Sequence, residues 1–161
     1  MHHVTTFLWF NDQAEEAARH YTSVLPGAKI TGTMYYTEAG PGKPGSVVTV
    51  TLEVAGHELI LLNGGDAHYD FSEAISLMLH CDTQDEADRV YDGLTQAGGH
   101  EAPCGWLKDK YGVSWQVVPP GVFDALNDPD PARAKRAYEA MFTMTKLDVT
   151  AIRAAVEGAA S

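Results

Sequence analysis

A strand–helix–strands pattern occurs twice in this chain, and this internal repeat restricts the possible folds more than any other sequence feature. Segments 7–12 and 77–82 both read as the end of a strand that leads into a helix, and they align at a constant offset. The identities that keep this offset in the helices are Glu16 with Glu86, Ala17 with Ala87, Arg19 with Arg89, and Tyr21 with Tyr91. The repeat predicts two units, each with a helix that covers one face of a sheet. The other face is left for a partner sheet or a ligand.

The first unit divides into recognisable elements. Strands are predicted at 1–10, 28–37, 46–54 and 58–62, where β-branched and aromatic residues are frequent or alternate with polar ones. A helix follows the first strand, with Asn11 or Asp12 as its cap and Glu15 at capping-box spacing from Asp12, and it ends at Pro26. Phe7 and Trp9 share one face of the first strand, since side chains alternate with a period of two.

Segment 104–119 reads as a strand, a tight turn and a second strand. Gly112 supplies the positive φ that such a turn often needs, and Asp109 is expected to fix the turn through side-chain to backbone hydrogen bonds. Trp115 is out of phase with Gln116, so Trp115 is predicted to be core if Gln116 faces a cleft. Trp106 is then placed at the mouth of a pocket. A purely structural role for all four side chains remains the alternative.

Two amphipathic helices are predicted after the last strand. One begins with Pro131 at its first helical position, and the other ends at Gly158. Their apolar faces need a surface to cover them, which is either another part of the same unit or a second subunit.

Charge and cysteine content exclude several classes of partner. The formal net charge is −11 without a basic run, so nucleic acid and anionic membrane surfaces are not expected as partners. No apolar run is long enough to span a membrane, and no signal pattern begins the chain, which predicts a cytoplasmic protein. Cys81 and Cys104 form no Cys-x-x-Cys motif, so neither a zinc knuckle nor a redox motif is indicated.

Neither the glycine-rich segment nor the histidines of this chain follow a known nucleotide-binding or metal-binding motif. The glycines of 40–45 match the letters of a dinucleotide loop, but prolines interrupt them and a strand follows instead of a helix. No pair of histidines shows helical metal-ligand spacing, although ligands from separate strands would leave no such signature. His80 lies in phase with Met78 on a predicted strand, where it is either a hydrogen-bonded structural histidine or part of an apolar pocket with Trp9 and Gln116.

Three motifs carry a resemblance to a known family: Trp9-Phe10-Asn11-Asp12 with Glu15-Glu16-Ala17-Ala18, Cys81-x-Thr83-Gln84-x-Glu86, and the hairpin from Cys104 to Gln116. Together with the doubled unit they resemble the vicinal oxygen chelate superfamily, which includes glyoxalases, bleomycin-resistance proteins and dioxygenases. Within it they resemble the PhnB-like group, which is labelled as having a demethylubiquinone methyltransferase domain.

The resemblance implies an α+β fold of paired βαβββ modules that form curved antiparallel sheets, with a C-terminal helical extension, as a homodimer. Residues 1–120 would form the family domain from repeats at about 1–66 and 72–119, and residues 121–161 the extension. The extension would belong to the same unit or to the dimer interface.

Metal-binding members of the superfamily take one ligand from each of four strands. The resemblance therefore implies four ligand positions in this chain. The corresponding positions here are Thr5 or Thr6, Glu58, Ser76 and Gln116, of which only Glu58 offers a carboxylate. Hydroxyl and amide groups are poor ligands for zinc, nickel or iron. No cofactor is therefore expected, and a divalent metal is disfavoured, with Glu58 as its one weak candidate ligand.

The function implied is that of an enzyme of the vicinal oxygen chelate type acting on an unassigned small molecule, or else a protein that sequesters a small molecule without catalysis. The methyltransferase label is not followed, because no glycine-rich βα turn for a methyl donor is present. Expected acid–base groups are Asp109, His80 and Glu58, but no catalytic residue is assigned. The predicted pocket residues are Phe7, Trp9, Ser76, Met78, His80, Trp106, Asp109 and Gln116.

Overall fold

The repeat predicted from the sequence is present in the fold. The computed structural model describes residues 2–66 and 68–158, and the chain divides into two compact units, Met1–Asp70 and Phe71–Ser161. The first unit consists of β1 (Thr6–Phe10), α1 (Ala14–Val24), β2 (Lys29–Tyr35), β3 (Val47–Val54) and β4 (His57–Asn63). The second repeats this βαβββ order with β5 (Leu77–His80), α2 (Gln84–Thr95), β6 (His100–Glu101), β7 (Trp106–Lys108) and β8 (Ser114–Val118).

Each unit contains one sheet of four strands, in the orders β1-β4-β3-β2 and β5-β8-β7-β6. The pairs β1–β4 and β5–β8 are parallel, and the other pairs are antiparallel. The α+β class with two βαβββ modules is thereby confirmed, with one parallel pair in each otherwise antiparallel sheet. The parallel pair brings the first and last strands of each module side by side.

The helix of each module packs on one face of its sheet. Apolar residues at helical spacing in α1 are fully buried, among them Ala17 and Tyr21, and the matching residues Ala87 and Tyr91 are buried in α2. The sheet residues that are buried with them alternate along each strand, as a sheet with one covered face requires. In the second unit these buried sheet residues are Leu79, Leu107, Trp115 and Val117.

The first strands of the two modules, β1 and β5, align at an offset that differs by one residue from the offset that aligns α1 with α2. Leu8 and Phe10 are buried in β1, whereas Leu79 is buried in β5 and Met78 and His80 are exposed. The sequence alignment of segment 7–12 with 77–82 is therefore wrong in phase for the strands, although it holds for the helices. A shift of one residue exchanges the two faces of a strand, because side chains alternate with a period of two.

The start of α1 also differs from the prediction. Asp12 does not cap this helix. The residue at the N-cap position of α1 is Gln13, and its side chain makes no capping hydrogen bond. The N–H of Ala14 instead donates to Oδ1 of Asn63, at 2.8 Å, from the end of β4. A distant strand therefore satisfies a donor that the sequence assigned to a local cap.

The C-terminal helices α3 (Val122–Leu126), α4 (Pro131–Phe142) and α5 (Val149–Glu157) belong to the second unit. Pro131 is the first helical residue of α4, and Gly158 ends α5 in the left-handed region with φ 73°, as predicted. The buried residues of this cluster start on the last strand and continue through the helices: Val118, Val122, Leu126, Ala137, Leu147, Val149, Ile152 and Val156.

Backbone hydrogen bonds fasten these helices to the module. The N–H groups of Cys104 and Gly105 donate to the carbonyl oxygens of Met144 and Thr145, at 2.8 and 2.7 Å. Gly105 has φ 80°, and a β-carbon there would lie 2.9 Å from the carbonyl oxygen of Val117, so glycine is required at this junction. The buried apolar residues of the extension are thus covered by its own unit, whereas Tyr138 and Phe142 of α4 remain exposed. Within residues 2–66 and 68–158, no helix has both the length and the apolar character needed to cross a membrane.

Candidate functional site

The face of the second sheet that points away from α2 carries a row of three side chains from neighbouring strands. Met78 of β5 is in register with Gln116 of β8, and Gln116 is in register with Trp106 of β7. Trp115 points to the opposite face and is only 2% exposed, whereas Gln116 is half-buried. The prediction that these two neighbours face opposite sides of the strand is confirmed.

The Gln116 side chain is held by a residue that lies just before the neighbouring strand, β5. Its Nε2 donates to Oγ of Ser76, at 2.8 Å, directly before the start of β5. This bond fixes the orientation of the amide, and it leaves the amide oxygen and the serine hydroxyl proton for other partners. An amide and a hydroxyl are thus placed between the apolar side chains of Met78 and Trp106.

The first unit has a matching pair on its own parallel strands. The hydroxyl of Thr5, just before β1, donates to Oε1 of Glu58 in β4, at 2.8 Å. Each module therefore joins a hydroxyl residue next to its first strand to a residue of its last strand. The family resemblance places metal ligands at Glu58, Ser76, Gln116 and either Thr5 or Thr6.

The chemistry of these four residues does not fit a tightly held transition metal. They offer two hydroxyls, one amide and one carboxylate, whereas zinc and iron sites are built from imidazole, thiolate and carboxylate groups. Across residues 2–66 and 68–158, no group of three or more His, Cys, Asp or Glu side chains is placed to hold a metal ion.

A cavity of about 200 Å³ lies at the β6–β7 edge of the second sheet. Trp106 lines it together with Lys108, two residues further along β7 on the same face. Nζ of Lys108 lies 2.7 Å from Oε1 of Glu73, and this contact lowers the pKa of the Glu73 carboxyl. The sequence interpretation missed both residues. Strand alternation from Trp106 could have indicated Lys108, but no local pattern marks Glu73.

Asp109 lies inside the turn that follows β7. Its Oδ1 accepts from the backbone N–H groups of Tyr111 and Val113, at 2.9 and 3.0 Å, and its Oδ2 accepts from Nε1 of Trp115, at 3.0 Å. The predicted side-chain to backbone bonds are confirmed, and Gly112 has the expected positive φ of 90°. Asp109 is only 2% exposed, so these bonds favour a structural role over ligand contact.

The remaining predicted pocket residues are on the surfaces of their own units. Phe7 and Trp9 share the face of β1 that points away from α1, and both are exposed. The Trp9 ring meets Tyr69 edge to face at 5.9 Å, and its Nε1 donates to the carbonyl oxygen of Gly65. His80 is exposed at the end of β5, and its ring lies 5.8 Å from that of Phe123.

A second cavity, of about 350 Å³, lies in the first unit and is polar in character. Glu58 lines it, and its Oε1 lies 3.9 Å from Nε2 of His3. His57 also lines the cavity, and its Nε2 is 2.9 Å from the hydroxyl of Thr6. The one carboxylate among the four ligand positions is thus accessible to solvent beside two imidazoles.

Comparisons with known proteins support the family indicated by the motifs. The family model of 3-demethylubiquinone-9 3-methyltransferase matches residues 2–118, which end with β8. The chain is 36% identical to the PhnB protein from Bacillus cereus, with a TM-score of 0.66 over 73% of this chain and 99% of that chain. No match is found among curated protein sequences.

Two further solved structures illustrate the range of similarity. Protein PA1353 from Pseudomonas aeruginosa is 22% identical, with a TM-score of 0.61 over 74% of this chain and 98% of that chain, which shows the fold alone. A glyoxalase/bleomycin resistance protein from Albidiferax ferrireducens T118 is 12% identical, with a TM-score of 0.49 over 70% of this chain and 93% of that chain. Since the family match spans both βαβββ modules, this chain belongs to the PhnB-like, 3-demethylubiquinone-9 3-methyltransferase family.

Proposed function

We propose that the protein binds a small oxygenated aromatic molecule on the open face of its second sheet. The observation that carries this proposal is the Gln116–Ser76 hydrogen bond, which holds a polar pair beside Met78 and Trp106. Small-molecule sites combine apolar walls with a few oriented polar groups. A ring would pack on Trp106 while its oxygen substituents bond the amide and the hydroxyl.

Methyl transfer from S-adenosylmethionine is not part of this proposal. Sites for such donors are usually built in open α/β sheets, where a glycine-rich turn leads from a strand into a helix. The glycine-rich segment 40–45 here connects the antiparallel strands β2 and β3 instead. The methyltransferase name therefore describes the family and not the reaction that we propose for this chain.

Catechol is a suitable probe, because it is a small aromatic ring with two hydroxyls. We expect isothermal titration calorimetry to detect catechol binding to the wild-type protein and no binding of S-adenosylmethionine. Gln116→Ala should weaken catechol binding by about 2- to 10-fold, the worth of one hydrogen bond. Trp106→Ala should weaken it further, since the ring then loses its packing surface.

Gln96→Ala is a matched control, because Gln96 is an exposed glutamine at the end of α2. It should leave catechol binding unchanged. Failure of the wild-type protein to bind catechol or phenol at millimolar concentration would contradict the proposal, and so would equal effects of the Gln96 and Gln116 variants.

A second candidate is an enzyme of the vicinal oxygen chelate type, and the position of Glu58 favours it. This carboxylate is half-exposed in a cavity beside His3 and His57, where it could accept a proton from a bound molecule. A metal would add weight to this alternative, because the superfamily's enzymes use one.

Elemental analysis of the purified protein separates the two candidates. We expect zinc, nickel, manganese and iron at well below one atom per chain, because Thr5, Ser76 and Gln116 are poor ligands. A stoichiometric amount of any of these metals would contradict our assignment of the four positions and would favour the enzyme.

We further propose a cytoplasmic homodimer as the setting of this activity. Both cysteines are free thiols, as a reducing compartment maintains them. The aromatic side chains of Tyr138 and Phe142 remain exposed on α4, 42% and 67%, which supports a contact with a second subunit.

A further inference from the structure

We infer that the bound molecule is an aromatic carboxylate, whose acid group binds Lys108 in place of the Glu73 carboxylate. This inference rests on the proposed function, because it names the ligand class for the same sheet face. Its support comes from the ion pair at the cavity and from the aromatic and apolar residues that line it.

The ion pair shows that a carboxylate fits at this point of the cavity. Nζ of Lys108 and Oε1 of Glu73 are 2.7 Å apart, and both residues line the 200 Å³ cavity with Trp106. The Lys108 side chain is 31% exposed and the Glu73 side chain is 71% exposed. The Glu73 carboxylate is therefore paired with the ammonium group of a half-buried lysine, while most of the Glu73 side chain is exposed to solvent.

Such an arrangement permits exchange. A mostly exposed ion pair contributes little to stability, so Glu73 can return to solvent at low cost. A carboxylate from a ligand would keep Lys108 paired and would also bring apolar atoms against Trp106 and Ala102, which line the same cavity. The ligand thus gains a contact that Glu73 does not make.

The net charge of −11 does not prevent binding of an anion at this point. Repulsion from distant carboxylates is screened over about 8 Å at physiological ionic strength. Two carboxylate residues line the cavity, Glu73 and Glu101, and the displacement of Glu73 is part of the exchange. Lys108 and His100 line the same cavity.

Benzoate and benzyl alcohol test this inference, because they share a ring and differ in the acid group. By calorimetry, the wild-type protein should bind benzoate about tenfold more tightly than benzyl alcohol, as expected for a charge-assisted bond over a neutral one. Glu73→Gln should tighten benzoate binding several-fold and leave benzyl alcohol unchanged. Lys108→Met should abolish the preference for benzoate.

Asp92→Asn is the matched control. Asp92 is ion-paired with Lys146 at 2.6 Å, and this lysine side chain is 34% exposed, nearly as much as that of Lys108. The control removes a comparable surface carboxylate that does not line the cavity, so benzoate binding should not change. Thermal melts establish whether each variant is folded. If Lys108→Met does not fold, the effect of Glu73→Gln on benzoate binding tests the inference alone.

The possible outcomes separate this inference from the proposed function. If the wild-type protein binds benzoate and benzyl alcohol equally and Glu73→Gln changes neither, the carboxylate class is wrong while aromatic binding stands. If Glu73→Gln and Asp92→Asn tighten benzoate binding equally, the effect is one of net charge, and the exchange at Lys108 is also wrong. If neither catechol nor any of these aromatic probes binds, both proposals fail.

Discussion

Replacement of Trp115 by alanine should destabilise the protein by roughly 3–5 kcal/mol, the usual cost of truncating a buried large aromatic side chain. Trp115 is 2% exposed on β8, in register with Leu77 and Leu107, on the face that α2 covers. Its Nε1 also donates to the buried carboxylate of Asp109. The loss would appear in urea or thermal unfolding of the purified variant.

Gln116→Ala is the control for this prediction, because it changes the next residue of the same strand. Its free energy of unfolding should stay close to that of the wild-type protein, since the Gln116 side chain lies on the open face and donates a hydrogen bond to Ser76. If Gln116→Ala unfolds as easily as Trp115→Ala, then the strand faces are assigned the wrong way round.

Asp109→Ala should have the second largest effect, roughly 2–4 kcal/mol. The substitution removes the acceptor of two backbone N–H groups in the turn and of the Trp115 indole N–H. A buried donor that is left without a partner costs about 1–3 kcal/mol, and relaxation of the turn recovers part of this sum. Chemical denaturation measures the loss directly.

Two comparisons make the Asp109 prediction specific. Asp124→Ala removes an exposed carboxylate from α3 and should change the unfolding free energy by no more than about 0.5 kcal/mol. The double variant Asp109→Ala, Trp115→Phe should be less destabilised than the sum of its single variants, because each removes the same hydrogen bond. Strict additivity would mean that this bond contributes nothing to stability.

The candidate site could be predicted only in part. Alternation along β8 placed Gln116 and Trp115 on opposite faces, because the strand period is a local property of the chain. The Ser76–Gln116 bond and the Lys108–Glu73 pair join residues that are far apart in sequence, and no local pattern marks such partners. Asp109 was named for its turn, but its burial and its bond to Trp115 depend on packing around the hairpin.

The sequence by itself determined that a strand–helix–strands unit occurs twice, that side chains alternate along the last strand, and that the C-terminal helices begin at Pro131 and end at Gly158. These features follow from short-range periodicity and from the backbone preferences of proline and glycine. Only the tertiary structure decided that Asn63 caps α1, that the C-terminal helices dock at Gly105, and which face each first strand presents. Each of these depends on groups that chain folding brings together, and the free energy of such contacts leaves no periodic signal in the sequence.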